Sequence, residues 1–286
     1  MIVFAAVAPL IDVFAKLATQ SLPSAEVAAV RFIVQFGVLL PVMVWRRSFR
    51  AMSWRRASIH FLRGLLIAIA TICFITALSK MPIADAISIF FVEPMILTVL
   101  GGLVLGEQVG WRRYVAAIVG FVGAMIVVRP SFETVGWVAV LPIGTAFSFA
   151  FYLLATRYQA QREDPFAMQG FAGLFGGLSI IVMLWLGEGT GSPVFDPRWP
   201  EGVAWLLVIG VGVMATVSHL FLVFAFQKAP ASVLAPLQYM EIASATVFGF
   251  LVFGDFPDAL KWLGITIIIG SGLFIFWRER LVAAEA

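Results

Sequence analysis

The sequence predicts an all-α membrane protein with ten transmembrane helices, arranged as two inverted five-helix repeats with cytoplasmic N- and C-termini. Composition, loop charge and an internal repeat lead to this prediction. Of the 286 residues, 62% are hydrophobic and 12% are charged, and the mean hydropathy is +1.01. Soluble domains are about 45–50% apolar and about 25% charged. The composition therefore excludes a soluble domain, a disordered chain and a conventional nucleic-acid-binding protein. The single cysteine, Cys73, excludes an intrachain disulfide.

Ten apolar runs follow one another along the chain, and a transmembrane helix needs about 20 such residues. Short breaks with Gly, Pro and Ser separate them. The first run carries Asp12 and Lys16 and lacks the basic start of a signal peptide, so we interpret it as a true span. Its short start suggests that a few native N-terminal residues are missing. The runs are 2–19, 25–45, 59–78, 84–105, 114–128, 137–156, 166–186, 203–226, 232–253 and 260–277.

Positive charge is distributed unevenly between the two ends of these runs, and Lys and Arg concentrate in cytoplasmic loops. With the N-terminus inside, the outer segments hold Lys80, Arg129, Arg198 and Lys261. The inner segments hold Arg46, Arg47, Arg50, Arg55, Arg56, Arg112, Arg113, Arg157, Arg162, Lys228, Arg278 and Arg280. This bias predicts that both termini are cytoplasmic and that the protein is a multi-pass component of the inner membrane.

An ungapped match appears when the chain is shifted by 148 residues, which places 77–112 over 225–260. The identical pairs include Pro82 with Pro230 and Glu93 with Glu241. The match predicts two units of five spans, 1–130 and 137–286. An odd number of spans inverts the second unit, and inverted repeats are the architecture of alternating-access transporters.

Placing an ionisable group inside the membrane costs free energy, so such residues are candidates for a functional role. Glu93 precedes Pro94 in the fourth span, and its equivalent Glu241 follows Gln238 and Tyr239 in the ninth. This pair is predicted to bind a cationic group or carry a proton, with Gln238 and Tyr239 orienting the ligand. The alternative is a protonated carboxyl that hydrogen-bonds to a neighbouring helix.

Other polar residues in the spans are further candidates for substrate binding. Asp12 and Lys16 lie four residues apart on one helix face, where they either form a structural ion pair or contact the substrate. Arg31 could meet a substrate carboxylate. His219 is either a proton-linked group or a structural residue, and Tyr152 is either an aromatic cavity wall or a core residue.

Arg63 and His60, near the inner end of the third span, are expected to snorkel to the membrane interface. The sequence contains no nucleophile–base–acid set, phosphate-binding loop or metal-ligand cluster. We therefore expect no enzyme activity, no cofactor, no bound metal and no ATPase. Uphill transport would use an ion gradient, exchange or a partner.

Several local motifs carry a resemblance to a known family. They are Asp12-Val13 with Lys16, Glu26 with Arg31-Phe32, Leu39-Leu40-Pro41, His60-Phe61-Leu62-Arg63-Gly64, Gly106-Glu107, Ala235-Pro236-Leu237-Gln238-Tyr239-Met240-Glu241 and Phe253-Gly254-Asp255-Phe256-Pro257-Asp258. Over its whole length the chain resembles the EamA-type members of the drug/metabolite transporter superfamily. The last two motifs are similar to the branch with S-adenosylmethionine uptake carriers, although that branch has an apolar residue in place of Glu93. The resemblance implies a central substrate site between spans of both repeats.

Together these features predict a secondary active transporter of a small organic metabolite, such as an amino acid, an S-adenosylmethionine-like molecule or another amino, cationic or aromatic compound. The alternatives are a riboflavin or other vitamin uptake carrier and, from another class, a non-transporting accessory subunit. The expected partners are the small-molecule substrate, the lipid bilayer, and a proton or an exchanged solute. No nucleic acid is expected, and the protein would be a monomer or homodimer. Substrate identity, direction and coupling stay open.

Overall fold

The computed structural model describes residues 1–48, 52–81, 83–107, 110–128, 136–253 and 259–285. These residues form helices and their connections, without strands. The twelve helices are α1 (Ile2–Ala18), α2 (Ser24–Trp45), α3 (Trp54–Leu78), α4 (Ile83–Phe90), α5 (Glu93–Leu105), α6 (Trp111–Val128), α7 (Val140–Ala160), α8 (Pro165–Gly187), α9 (Val203–Lys228), α10 (Ala231–Gln238), α11 (Glu241–Phe253) and α12 (Ala259–Glu285). Arg50, Arg129 and the turn at 254–258, which entered the sequence argument, lie outside the described residues.

Five of the described helices are long and apolar enough to cross a membrane, judged by length and composition. They are Ser24–Trp45, Trp54–Leu78, Trp137–Ala160, Pro165–Gly187 and Val203–Lys228. Many large apolar side chains on their outer faces are exposed, including Trp45, Val182 and Leu206. An all-helical protein with an apolar exterior fits a lipid environment, because lipid tails cover such surfaces without cost.

Two runs that the sequence predicts as continuous spans are each divided into two helices. The first breaks at Phe91–Val92, between α4 and α5, and the second breaks at Tyr239–Met240, between α10 and α11. Pro94 lies in the first turn of α5, where its missing N–H is tolerated. At the second break the backbone tightens, since the N–H groups of Ile242 and Ala243 donate to carbonyls three residues back. The bounds of α10 and α11 are those of α4 and α5 plus 148.

The helices of the first half lie against helices of the second half, and the core runs between them. Helix α2 packs on α8, α6 on α12, α1 on α9 and α3 on α7. By their order along the two halves, α2 corresponds to α8 and α6 to α12. The α1–α9 contact likewise corresponds to the α7–α3 contact. The two halves are thus interleaved, and a cavity at their boundary draws on both.

Close helix approach depends on glycine where α3 crosses α8. A Cβ atom on Gly64 would lie 2.6 Å from the Cβ of Phe175 and 2.8 Å from the backbone nitrogen of Gly176. Small residues let membrane helices approach closely in this way. This crossing holds α8 over the N-terminal half of α3, which decides the environment of Arg63 described below.

Candidate functional site

A cavity of about 100 Å³ lies between α1, α2, α3 and α4 of the first half and α7, α9 and α11 of the second. Its volume can hold several water molecules or part of an organic ligand. Phenylalanines form much of its wall, namely Phe4, Phe74, Phe90 and Phe149. The polar lining consists of Asp12, Arg31, Thr71, Thr145, His219 and Glu241. The arrangement is a mostly apolar pocket with a few convergent charges, which is typical of small-molecule sites.

Arg31 projects from α2 into this cavity and is 4% exposed. It donates to the Thr71 hydroxyl on α3 and lies 3.5 Å from Nε2 of His219 on α9. Its Nε has no hydrogen-bond partner among the residues described. A buried guanidinium with a spare donor can bind a carboxylate or another anionic group of a ligand.

His219 is held in one orientation by its own helix. Its Nδ1 lies 3.0 Å from the carbonyl oxygen of Ala215, so Nδ1–H donates there. Nε2 is then an acceptor that faces the Arg31 guanidinium. This geometry fits a neutral imidazole that positions Arg31, which favours the structural interpretation of His219 over the proton-linked one.

Asp12 on α1 and Glu241 at the start of α11 provide the acidic side of the cavity, and both are half-buried. Glu241 interacts electrostatically with Asp12, and Asp12 interacts with Arg31. The Ser244 hydroxyl donates to the carbonyl of Ala5, which ties α11 to α1. Two carboxylates beside one guanidinium leave an excess negative charge when both are ionised. The cavity can therefore accept a cationic group or a proton.

Five of the sequence candidates lie outside the cavity lining, and three of these five are close together. Glu93 is fully buried at the start of α5, with Gln238 beside its carboxyl group. The Tyr239 hydroxyl donates to the carbonyl of Phe91 at 3.1 Å. Glu93, Gln238 and Tyr239 form a separate buried cluster where the two helix breaks meet.

Lys16 and Tyr152 also point away from the cavity. The Lys16 Nζ donates to the carbonyls of Leu78, the last residue of α3, and Met81, at 3.0 and 3.2 Å. Within the described part of the chain no ion pair joins Lys16 to Asp12, so the ion-pair alternative is wrong in this conformation. Tyr152 is fully buried behind the cavity wall, and its hydroxyl accepts from Gln169 at 3.0 Å.

The uncharged polar residues of the site were not predicted from the sequence. Thr71 binds Arg31, and Thr145 on α7 also lines the cavity. Gln169 donates to the carbonyl of His219 at 3.1 Å and accepts from Gln35 at 3.2 Å. An uncharged polar residue within an apolar run was the sequence signal that could have identified them, because a buried polar group needs a hydrogen-bond partner.

Arg63 does not snorkel to the membrane interface, and that expectation was wrong. Its side chain is fully buried, its Nε donates to Thr156 at 3.2 Å and its Nη1 donates to the carbonyl of Met168 at 3.1 Å. The guanidinium also lies 5.3 Å from the ring centre of Tyr152. The reason is that α7 and α8 cover this part of α3. His60 is equally buried, with Nε2 2.8 Å from Oε2 of Glu163.

Ion pairs join the two halves at the helix ends that the charge bias predicts to be cytoplasmic. They are Arg46–Asp164 at 2.6 Å, Arg56–Glu163 at 3.1 Å and Arg157–Glu107 at 3.4 Å. Glu107 also accepts from the backbone N–H groups of Ala231 and Ser232 at the start of α10. At Glu163 burial acts to raise the pKa, but the hydrogen bond and charge of His60 and then Arg56 outweigh burial and lower that pKa. Glu163 is therefore ionised and bridges the halves.

The chain matches known proteins over almost its whole length. The model of the EamA-like transporter family matches residues 1–129 and 136–277. A riboflavin transporter of Vibrio cholerae is 31% identical over 92% of this chain and 88% of its own. An S-adenosylmethionine uptake transporter of Rickettsia felis is 28% identical over 94% of this chain and 88% of its own. A pseudopaline exporter of Pseudomonas aeruginosa is 25% identical over 89% and 86%.

One solved crystal structure shares the fold, with a TM-score of 0.77 and 18% sequence identity over 98% of this chain and 97% of that protein. The family match and the relatives confirm the resemblance drawn from the sequence motifs. The chain belongs to the EamA-like transporter family.

Proposed function

We propose that the protein is a secondary active transporter that moves a small organic metabolite across the inner membrane by alternating access. In this proposal it crosses the membrane ten times as two inverted repeats, with both termini in the cytoplasm. The observation that carries the proposal is the cavity between the halves, where Asp12, Arg31 and Glu241 converge among phenylalanines. Such a cavity suits the binding of a small molecule, and the named relatives are transporters.

The symmetric helix breaks support the alternating-access part of the proposal. Discontinuous helices at equivalent positions of inverted repeats mark substrate sites in many secondary transporters. Here the breaks fall at Phe91–Val92 and Tyr239–Met240. Glu241 follows the second break directly and lines the cavity.

The position of the cavity supports an outward-open conformation. Its residues on α3 lie toward the end at Leu78, and those on α7 lie near the start at Val140, both of which are outer ends under the charge bias. The inner ends are joined by the Arg46–Asp164, Arg56–Glu163 and Arg157–Glu107 pairs. We interpret these pairs as the closed inner gate.

The charges suggest a substrate with both an amino and a carboxylate group, attached to an aromatic ring. Arg31 would bind the carboxylate, Asp12 and Glu241 would bind the amino or another cationic group, and the phenylalanines would contact the ring. S-adenosylmethionine has these groups, and the uptake transporter of Rickettsia felis is named for it. The second candidate is riboflavin, which the aromatic wall and the Vibrio cholerae relative favour.

The test uses purified protein in liposomes, with radiolabelled S-adenosylmethionine and riboflavin as separate probes. Glu241→Gln should abolish uptake of S-adenosylmethionine while the variant keeps the wild-type melting temperature. Glu188→Gln, at an exposed loop carboxylate, is the matched control and should transport normally. If riboflavin is the substrate, its uptake should survive Glu241→Gln, because it offers no amino group to that carboxylate. Wild-type protein that moves neither probe would favour the accessory-subunit alternative.

A further inference from the structure

Glu93 is a carboxyl group that the proposed substrate site does not use. It is the first residue of α5, it is 0% exposed, and neither carboxyl oxygen has a hydrogen-bond partner within the described ranges. An ionised carboxylate that is buried without a partner is strongly disfavoured. In this conformation Glu93 therefore carries a proton.

The groups that face Glu93 confirm that no cation neutralises it. They are Gln238 and Tyr239 from the second helix break and Glu241 from α11. Gln238 Nε2 is buried and has no hydrogen-bond partner among described residues, so it is a donor available to an ionised Glu93 after a small rearrangement. Among the described residues, none of these facing groups is basic. Glu241, which interacts electrostatically with Glu93, would oppose ionisation of Glu93 while it is itself charged.

Glu93 and Glu241 are equivalent residues in different surroundings. Each begins the helix after its break, yet Glu241 lines the cavity and Glu93 is sealed behind it. Inverted repeats change access by exchanging the conformations of their two halves. In the opposite conformation Glu93 would take the open position and Glu241 the sealed one.

We propose that Glu93 is a proton-binding site that couples transport to a proton gradient, because its carboxyl is sealed in one conformation and opens to water in the other. This inference rests on the proposed alternating-access function. In the outward-open conformation a proton enters from the outer cavity at Glu241, which interacts electrostatically with Glu93, and passes on to the Glu93 carboxyl, which leaves Glu241 free. Glu93 releases this proton to water when the inner side opens. Substrate contacts Glu241, so the two ligands occupy different carboxyls.

The transport test compares wild-type protein with Glu93→Gln and the control Glu188→Gln in liposomes, using radiolabelled S-adenosylmethionine and riboflavin. Exchange at equal pH should survive in Glu93→Gln, because glutamine mimics the protonated carboxyl. Accumulation driven by an inward proton gradient should fall by at least about fivefold, the lower end of typical coupling between sites. Accumulation by Glu93→Gln that matches wild type, or wild-type accumulation that ignores the proton gradient, would overturn the proton site but leave the transporter proposal intact.

An infrared measurement tests the proton itself without any substrate. Purified wild-type protein at neutral pH should show a protonated carboxyl C=O band that is absent from Glu93→Gln and present in Glu188→Gln. Identical spectra in this region would overturn the proposal, and so would a Glu93→Gln protein that fails to fold. If wild-type protein transports neither probe, the proposed function fails for both, while the infrared comparison still decides whether Glu93 holds a proton.

Discussion

The Tyr239 hydroxyl donates to the carbonyl of Phe91 at 3.1 Å, and these two residues are separated by 148 positions, the offset of the repeat. Their ring centres lie 5.7 Å apart. In two segments related by a two-fold axis, a residue can contact its own equivalent only close to that axis. The two helix breaks thus meet at the centre of the molecule, where Phe91 is 1% and Tyr239 is 0% exposed.

Tyr239→Phe should destabilise the protein by removing this central hydrogen bond while keeping the ring. The Phe91 carbonyl would be left unpaired in a buried place, at a cost of about 1–3 kcal/mol. The melting temperature in detergent measures the effect. Tyr158→Phe is the control, because the Tyr158 hydroxyl accepts from Arg162 at an exposed position. Equal melting temperatures for the two variants would contradict a structural role for the central bond.

Gly120→Ala should strain the same centre from the side of α6. A Cβ atom there would lie 2.4 Å from Cδ2 of Tyr239, whose ring is fully buried. Overpacking of this kind costs about 1–3 kcal/mol. Gly37→Ala on α2 is the matched control, because a Cβ there meets no atom within 4 Å. Gly37→Ala should be neutral or stabilising by up to about 1 kcal/mol. The melting temperatures of both variants in detergent measure the difference.

The sequence was enough to identify which ionisable residues are candidates for a functional role, but the partners of these residues depend on packing. Asp12, Arg31 and Glu241 were candidates because ionisable groups in apolar runs are costly, and all three line the cavity. Lys16 was placed with Asp12 by helical spacing. Its long side chain instead reaches the free carbonyls at the end of α3, which only the α1–α3 contact provides.

The difference between Glu93 and Glu241 could not be predicted from the repeat. The sequence match shows only that the two positions are equivalent. In any one conformation of an alternating-access transporter, equivalent residues of the two repeats have different surroundings. The break before α5 had a sequence signal in Pro94. The equivalent position in the first turn of α11 holds Ile242 instead, so that break is set by tertiary packing around Tyr239.

Glu163→Gln should weaken the ion-paired end of the protein, where Glu163 contacts Arg56 and His60, in a pH-dependent way. Although burial acts to raise the pKa of Glu163, His60 and Arg56 lower it below its ordinary value of 4.5. The ionised carboxylate therefore stabilises the fold above pH 4.5. This contribution is lost as the pH falls through the pKa of Glu163 in the folded protein, which is lower than in the unfolded chain. At neutral pH the substitution should cost about 1–3 kcal/mol, as expected for hydrogen bonds to a charged group.

Melting temperatures of wild type and Glu163→Gln across a pH series check this prediction. The two curves should lie apart at neutral pH and converge in acid. Glu188→Gln, at an exposed carboxylate, should follow wild type throughout. Curves for Glu163→Gln and wild type that stay parallel into acid would show that the Glu163 ion pairs do not carry the difference.

Lys16→Met and Asp12→Asn, two substitutions one turn apart on α1, should have opposite consequences. Lys16 donates to the carbonyls of Leu78 and Met81, so its removal should lower stability by about 1 kcal/mol and leave the KM of uptake unchanged. Asp12 lines the cavity, so Asp12→Asn should raise the KM for S-adenosylmethionine with little change in melting temperature. Liposome uptake and thermal unfolding of both variants separate the roles. A rise in KM for Lys16→Met as large as that for Asp12→Asn would mean that Lys16 leaves the α3 carbonyls during transport and reaches the substrate.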